Sequence, residues 1–340
     1  MADNTIGRGR AEVQITPADL GRRVSVRRVS EVRDGRPVFS DVVGVLTSWD
    51  KGVLTVLGRD AEPRQIAEES LVAAKAVPPA PVRRGERAVA AHLAVGSAEL
   101  QRIAGRGWPG TETAALGGWV LRAAKGFTNR ANSVLPASDP GLPLDQALER
   151  VRDWYGGFGL PAVVQTDLED PLDAALAERG WAPSASALFQ TAPLAPLVDD
   201  RAAAAAGVLL SREPGPGWLA RYRRVRHPDL APTALAVLTG GPSVWFATVP
   251  GAPGEAPAAI GRCAVDGRWV GLAALEVAPD QRRRGLATAV TAALARAAAD
   301  EGADLAYLQV EPENENAIRL YDRLGFRTHH RYHYRRRPEA

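Results

Sequence analysis

Residues 275–287, LEVAPDQRRRGLA, constrain the fold more than any other stretch of the chain. An apolar strand ends at Val277, a short turn carries Pro279 and Asp280, and Gly285 opens a long alanine-rich helix expected to reach about Asp300. A helix start leaves backbone N–H groups unpaired and carries partial positive charge, so this junction is a ready anion site. Gly285 and the small Ala287 let the main chain approach a ligand closely, and Arg282, Arg283 and Arg284 add side-chain charge. A dinucleotide-binding fingerprint does not fit. The loop holds a single glycine, and the chain beyond it does not continue as repeated parallel units.

Downstream, residues 308–326 read LQVEPENENAIRLYDRLGF. A strand over Leu305–Val310 precedes Asn314, and a helix over Glu315–Leu324 presents Ala317, Ile318 and Leu320 as apolar contacts together with Tyr321. Gly325 ends that helix in a left-handed conformation, before Phe326. The spacing Arg282-x-x-Gly285-x-Ala287, followed by Asn314, Tyr321 and Gly325-Phe326, resembles the GCN5-related N-acetyltransferase (GNAT) superfamily.

That resemblance implies an acyl-CoA N-acyltransferase fold, an α/β (α+β) mixed sheet whose fourth and fifth strands splay to admit a pantetheine arm. It implies acetyl-CoA as cosubstrate, an amine as acceptor and no metal. By the same resemblance the cofactor lies against Leu275, Glu276, Val277, Arg282, Arg283, Arg284, Gly285, Leu286, Ala287, Asn314 and Tyr321. At least one of the three arginines is expected to face solvent or a 3′-phosphate. Tyr321 becomes the candidate general acid, because a departing thiolate needs a proton and a phenol can give one. Many relatives carry carboxylates on the fourth strand, where this chain has Gly271 and Ala273. Glu276 and Glu311 are the remaining candidates for the base; strict strand alternation turns Glu276 away from the face of Val277 unless a bulge intervenes. Deprotonation through ordered water, or by a group from the middle segment, is the other route.

Upstream, helical periodicity at 85–106 leads into strands Trp119–Arg122 and Ala131–Leu135. A helix Leu144–Tyr155, a strand Ala162–Gln165 and a helix Pro171–Arg179 follow, closed by Gly180-Trp181. The order from Val134 to Gly180 repeats from Val277 to Gly325, as LDAALAERGW (172–181) against AIRLYDRLGF (317–326) shows. The first copy reads LPASDPGLPLD (135–145) at its loop, acidic where a pyrophosphate would sit, and places Ala177 near the position of Tyr321. It is expected to be a degenerate unit that binds no cofactor. Its segment GFTNRANSV (126–134) gathers Thr128, Asn129, Arg130, Asn132 and Ser133, groups that either face an acceptor or satisfy a turn.

The remaining expectations complete the map. Short alternating runs between Asp19 and Val77, with turns at Asp34-Gly35 and Asp50-Lys51-Gly52, suggest a small SH3-like barrel. Boundaries are expected at 1–15 (flexible), 16–77 (barrel), 78–86 (Pro-rich linker), 87–198 (degenerate unit) and 206–336 (catalytic unit). The catalytic unit should hold a strand at Val208–Ser211, a helix at Gly217–Val225, and strands at Ala234–Leu238 and Ser243–Val249. A hairpin should join Ala259–Val265 to Arg268–Val277 through Asp266-Gly267, and a last strand should run through Tyr332.

Hydrophobic residues at 46% and charged residues at 24% are the balance of a soluble globular chain. A net charge of +3 permits an anionic ligand without arguing for nucleic acid, and the basic end RYHYRRR (331–337) reads as a solvated strand and tail. The lone Cys263 excludes an intrachain disulfide or a multi-cysteine zinc site and reads as a core residue. No signal peptide or membrane span is evident, so a cytoplasmic protein is expected, with a homodimer permitted. Two competing readings stay open: a non-catalytic acetyl-CoA sensor, and a nucleic-acid-associated protein using the barrel and the basic tail.

Overall fold

The computed structural model describes residues 13–20, 22–33, 35–58, 63–77, 95–225 and 228–337. Two compact units divide the chain, Met1–Arg83 and Arg84–Ala340. The first is a five-stranded sheet of β1 (Arg23–Arg33), β2 (Arg36–Asp50), β3 (Val53–Leu57), β4 (Pro63–Ala67) and β5 (Leu71–Ala76). Its order is β4-β3-β2-β1-β5, and every pairing is antiparallel. Alternation puts Val24, Val26, Leu46, Leu54, Val56 and Ile66 wholly inside, a period-2 pattern that fixes which face is the core.

The second unit is built on one eight-stranded sheet. Its strands are β9 (Val163–Asp167), β10 (Ala182–Pro193), β11 (Leu209–Ser211), β12 (Ser243–Val249), β13 (Ala259–Asp266), β14 (Trp269–Val277), β15 (Leu305–Val310) and β16 (Arg327–Arg336). They lie in the order β11-β12-β13-β14-β15-β10-β16-β9. A small sheet of β6 (Glu112–Leu116), β7 (Trp119–Ala123) and β8 (Leu135–Pro136) meets β9 through one parallel bridge, Val134 to Val164. The helices are α1 (Ser97–Gly107), α2 (Leu144–Gly156), α3 (Pro171–Glu178), α4 (Asp200–Ala205), α5 (Pro216–Arg221), α6 (Ala231–Thr239), α7 (Leu286–Asp300) and α8 (Glu315–Arg323).

The strand order shows how the two expected copies share their sheet. β10 follows α3 yet pairs with β15, while β16 follows α8 yet pairs with β9, and the two exchanged strands pair with each other. The expected boundary between 198 and 206 therefore separates no independent bodies. In both copies a left-handed glycine ends the second helix, Gly180 at φ 76° and Gly325 at φ 90°, and the aromatic after it, Trp181 or Phe326, is buried. The exchange also fixes the basic end. Tyr332, His333 and Tyr334 are buried within β16, and Arg335 gives two hydrogen bonds to the Asp173 carboxylate, at 2.7 and 2.6 Å. His333 contacts the same carboxylate. Only the flanking Arg331, Arg336 and Arg337 are exposed, so the expected solvated strand is corrected: packing covers both faces at its centre, Tyr332 and Tyr334 on one and His333 on the other.

Three further expectations change. Ala234–Leu238 is helix, within α6, not strand. Pro232 sits in its first turn, and Thr233, Ala234, Val237 and Leu238 form one buried helical face. Ala131–Leu135 is a short 3-10 turn (Asn129–Ala131) with only Leu135 and Pro136 in a strand. The Asn132 side chain accepts from the N–H groups of Ala124 and Gly126 and donates to the carbonyls of Phe127 and Thr128, claiming backbone groups a ladder would need. In the β13–β14 hairpin Asp266 pairs with Trp269, so the central turn residues are Gly267 and Arg268; Gly267 alone has positive φ (58°), the pattern of a II′ turn. Cys263 is fully buried, as expected of a core residue, and its thiol is pushed up to about 12 by that burial. Residues 85–94 of the upstream helical stretch lie outside the described residues. Among the described residues no helix is long and apolar enough to cross a membrane.

Candidate active site

Helix α7 lies against β12, β13 and β14 because its buried face is small: alanines 289, 292, 293, 295, 297 and 298 surround Val290 and Leu294. Gly261 on β13 completes the approach, since a Cβ there would stand 2.5 Å from Cγ1 of Val290. This packing fixes where the helix begins. Gly285 is its N-cap at φ 78°, Arg283 is also left-handed at φ 62°, and the first intrahelical bond runs from the Ala289 N–H to the Gly285 carbonyl. The N–H groups of Leu286, Ala287 and Thr288 thus have no carbonyl one turn earlier. Arg282, Arg283 and Arg284 are all exposed, and Arg284 bonds Gln281. A cavity of about 990 Å³ opens beside this turn and shares Gln281, Arg284, Gly285 and Leu286 with it.

The second feature is the splay of the sheet. β14 and β15 pair in parallel from Trp269–Leu305 to Leu272–Leu308 and then separate, although β14 runs on to Val277. On its other edge β14 shifts register against β13 between Ile260 and Arg262, a bulge that holds Ala274 at φ 53°. Backbone groups of residues 273–277 that face β15 therefore have no strand partner. Into this gap opens a cleft of about 320 Å³ lined by Leu272–Glu276, Gln309–Glu311, Asn314, Ala317 and Tyr321. The larger cavity beside the turn holds none of Glu276, Asn314 or Tyr321; all three candidate residues line the smaller one.

Within the cleft the expected residues take distinct positions. Tyr321 is half-buried on α8, its ring edge-on to Phe326 at 5.7 Å, and burial pushes its phenol up to about 12. It is therefore a neutral O–H at physiological pH. Glu276 is half-buried; its carboxylate accepts from the Arg223 N–H at 3.1 Å. Burial raises its carboxyl above the ordinary range, against the pull of that bond and of the Arg223, Arg224 and Arg221 charges. The bulge leaves both Leu275 and Glu276 on the cleft wall. Glu311 is there too, paired with Arg224 at 2.9 Å. Asn314 caps α8, its Oδ1 accepting from the Ala317 N–H at 3.2 Å. Gly271 explains the missing fourth-strand carboxylate: a Cβ there would fall 2.3 Å from the Tyr307 ring, so no side chain fits.

The wall opposite comes from the first copy. Thr128, Asn129 and Arg130 line the cleft, whereas Asn132 and Ser133 point inward and hold the turn, Ser133 accepting from Arg122. Tyr222, Tyr332 and Tyr334 line it as well, and sequence reasoning had assigned them no role. The signal for Tyr332 and Tyr334 is the alternation of RYHYR, which marks a strand face but not what that face looks onto; Tyr222, just after a short helix, carries none.

The family of the probable histone acetyltransferase Rv0428c C-terminal region matches residues 98–335, which span the sheets of the second unit except the last residue of β16 and include the whole cleft. The chain belongs to that family, within the GNAT superfamily. The probable histone acetyltransferase Rv0428c of Mycobacterium tuberculosis is 30% identical over 93% of this chain and 94% of its own length. The uncharacterized N-acetyltransferase YobR of Bacillus subtilis is 27% identical over 70% of this chain and 97% of its own. A solved GCN5-related N-acetyltransferase from Kribbella flavida, at 18% identity, covers 72% of this chain and 96% of its own with a TM-score of 0.49, a likeness too loose to assign residues. This GNAT chain is an N-acyltransferase with a mixed α/β sheet, as the two motifs implied.

Proposed function

We propose that the protein transfers an acetyl group from acetyl-CoA to an amine by direct attack, with Tyr321 as general acid and Glu276 as base. The supporting observation is the juxtaposition of a partnerless β14 edge with Glu276 and a neutral Tyr321 on the walls of one cleft. Acetyl-CoA supplies the acetyl group activated as a thioester. The free N–H groups at the start of α7, with Arg282–Arg284 around them, suit its diphosphate, and the free edge of residues 273–277 suits the amides of its arm. Asn314 has its Nδ2 left to donate once Oδ1 has capped the helix.

The amine nitrogen must be neutral to attack the carbonyl carbon. Glu276, with its carboxyl raised by burial, takes that proton. As the new C–N bond forms and the C–S bond breaks, Tyr321 delivers its phenolic proton to the leaving sulfur. The excess proton on the acylated nitrogen passes to the tyrosinate, and Glu276 returns its own proton to solvent, leaving a neutral amide, the free thiol and the restored phenol. Backbone N–H groups beside the bulge stabilise charge on the carbonyl oxygen. The first copy supplies the facing wall for the acceptor and no phosphate site, since Asp139 and Asp145 occupy its corresponding loop. The N-terminal sheet, with its alternating buried strands, is read as the SH3-like barrel, and the protein as cytoplasmic.

Calorimetry with acetyl-CoA, followed by a thiol-release screen of amine classes, tests this reading. Saturable binding with turnover of at least one amine is expected. A Gly285→Glu variant, with a carboxylate at the diphosphate position, should lose binding. Tight binding with no turnover of any amine would favour the sensor reading, and no heat at all would remove the enzyme assignment of the cleft.

A further inference from the structure

The cleft wall contributed by the first copy presents one cation, Arg130, and no carboxylate among the described residues forms an ion pair with it. Arg130 stands on the cleft with its guanidinium 4.4 Å from the centre of the Trp108 ring, and Arg262 stands 5.0 Å from the same ring. Arg262 is fully buried and bonds only the carbonyls of Leu238 and Gly240; Arg122, also buried, bonds the Ser133 carbonyl and hydroxyl and the Gln165 side chain. Arg130 itself bonds the carboxamide oxygen of Gln309 at 2.9 Å. All these acceptors are neutral. The carboxylates of the cleft are engaged elsewhere, Glu311 with Arg224 and Glu276 with the Arg223 N–H. Burial holds the Arg262 guanidinium down to about 10, and the nearby Arg130 charge pushes the same way.

The position of Arg130 is built at some cost. Its turn places Lys125, Gly126 and Thr128 at positive φ (47°, 82° and 59°), and a β-branched residue there is strained by about 1–3 kcal/mol. The Trp108 indole N–H pins the Thr128 hydroxyl at 3.0 Å, and Asn132 holds the turn with four bonds. A cation presented by a strained, braced turn, with like charges behind it, calls for an anion in front. The diphosphate of the cofactor is not that anion: its proposed turn at 282–287 shares no lining residue with this cleft.

We propose that the acceptor is a small amine carrying a free carboxylate, such as an amino acid, and that Arg130 binds that carboxylate while the amine meets Glu276. The proposal rests on the catalytic reading above. The cleft volume of about 320 Å³ favours a small acceptor.

The test uses the full chain with acetyl-CoA, and free amino acids each paired with the carboxamide, plus a basic lysine peptide with blocked ends. The acids should be acetylated with KM lower than their carboxamides by about 10- to 100-fold, the range for a charge-assisted hydrogen-bonded pair. Arg130→Gln should erase that difference by raising KM for the acid, with kcat and the acetyl-CoA Kd little changed. If that variant unfolds, Gln309→Glu keeps the stacked arginine but gives it an acid partner, and should erase the preference too. Equal use of acids and carboxamides, or preference for the peptide, would overturn the proposal while leaving the catalytic reading intact. So would acetyl-CoA binding with no acetylation of any acid. Absence of acetyl-CoA binding would instead remove the reading beneath it.

Discussion

Tyr321→Phe isolates one atom of the proposed mechanism. The hydroxyl has no hydrogen-bond partner among the described residues, and the ring lies edge-on to Phe326 at 5.7 Å, a contact phenylalanine keeps. Removing the oxygen leaves no orphaned polar group, so stability should change by less than about 0.5 kcal/mol, a melting shift under about 2 °C. Catalysis should suffer much more. Loss of a positioned general acid costs about 10²–10⁴ in kcat, or about 2.7–5.4 kcal/mol of barrier at 1.36 kcal/mol per tenfold. Thiol release measured under saturating acetyl-CoA reads kcat, and calorimetry reads the cofactor Kd, which should stay within about twofold. Because burial holds the phenol at about 12, the wild-type kcat should not fall through loss of this proton below about pH 10. A variant with kcat within threefold of wild type, or one whose Kd rises as much as its kcat falls, would refute the assignment.

Other predictions test the rest of the cleft and its frame. Glu276→Gln retains an acceptor for the Arg223 N–H but no base, so kcat/KM should drop by about 10²-fold or more and lose its rising acid limb, which in wild type should lie above the ordinary glutamate value of 4.5. Asp173→Asn removes the charge that Arg335 and His333 share in the buried strand exchange. It should cost about 3–5 kcal/mol in urea unfolding at pH 7. The hydrogen bonds from Arg335, and after them that of His333, depress the Asp173 carboxyl; its contribution is present above the unfolded value of 3.8 and lost as pH falls through the folded value, an acid dependence the variant should lack. At the alkaline end Tyr307 and Tyr321 are both raised by burial from 10.0 to about 12, so folding favours their protonated forms. Stability from these groups is complete below pH 10 and should be lost between about 10 and 12, visible as a falling melting temperature.

Much of the local structure around the candidate site could be read along the chain because its physics is local. A strand end, a left-handed glycine and a helix start are adjacent in sequence, so LEVAPDQRRRGLA could be read as a strand–turn–helix junction, and Gly285 does take positive φ at the start of α7. The same holds for the helix that carries Tyr321, capped by Asn314 and stopped by Gly325. Readings failed where a local pattern had two solutions. The apolar run at 234–238 fits a strand or a helix, and only burial of Thr233, Ala234, Val237 and Leu238 on one side decides for helix. The turn around Asn132 fits an extended pattern locally, but its side chain takes the backbone bonds a strand would need.

From the sequence alone came the family and most of the local elements, since a glycine turn and a helix cap are set by neighbours within a few residues. Tertiary structure alone decided which strand completes which sheet. The exchange of β10 and β16 joins residues some 150 positions apart, as in the Tyr334 to Ser184 bond, and no local rule selects it. That exchange accounts for the burial of a basic strand. The braced turn on the facing wall brings Arg130 against Gln309, far along the chain, and so sets a charge beside the proposed catalytic pair. Electrostatics at a site depends on distances through space, and the order of residues does not contain them.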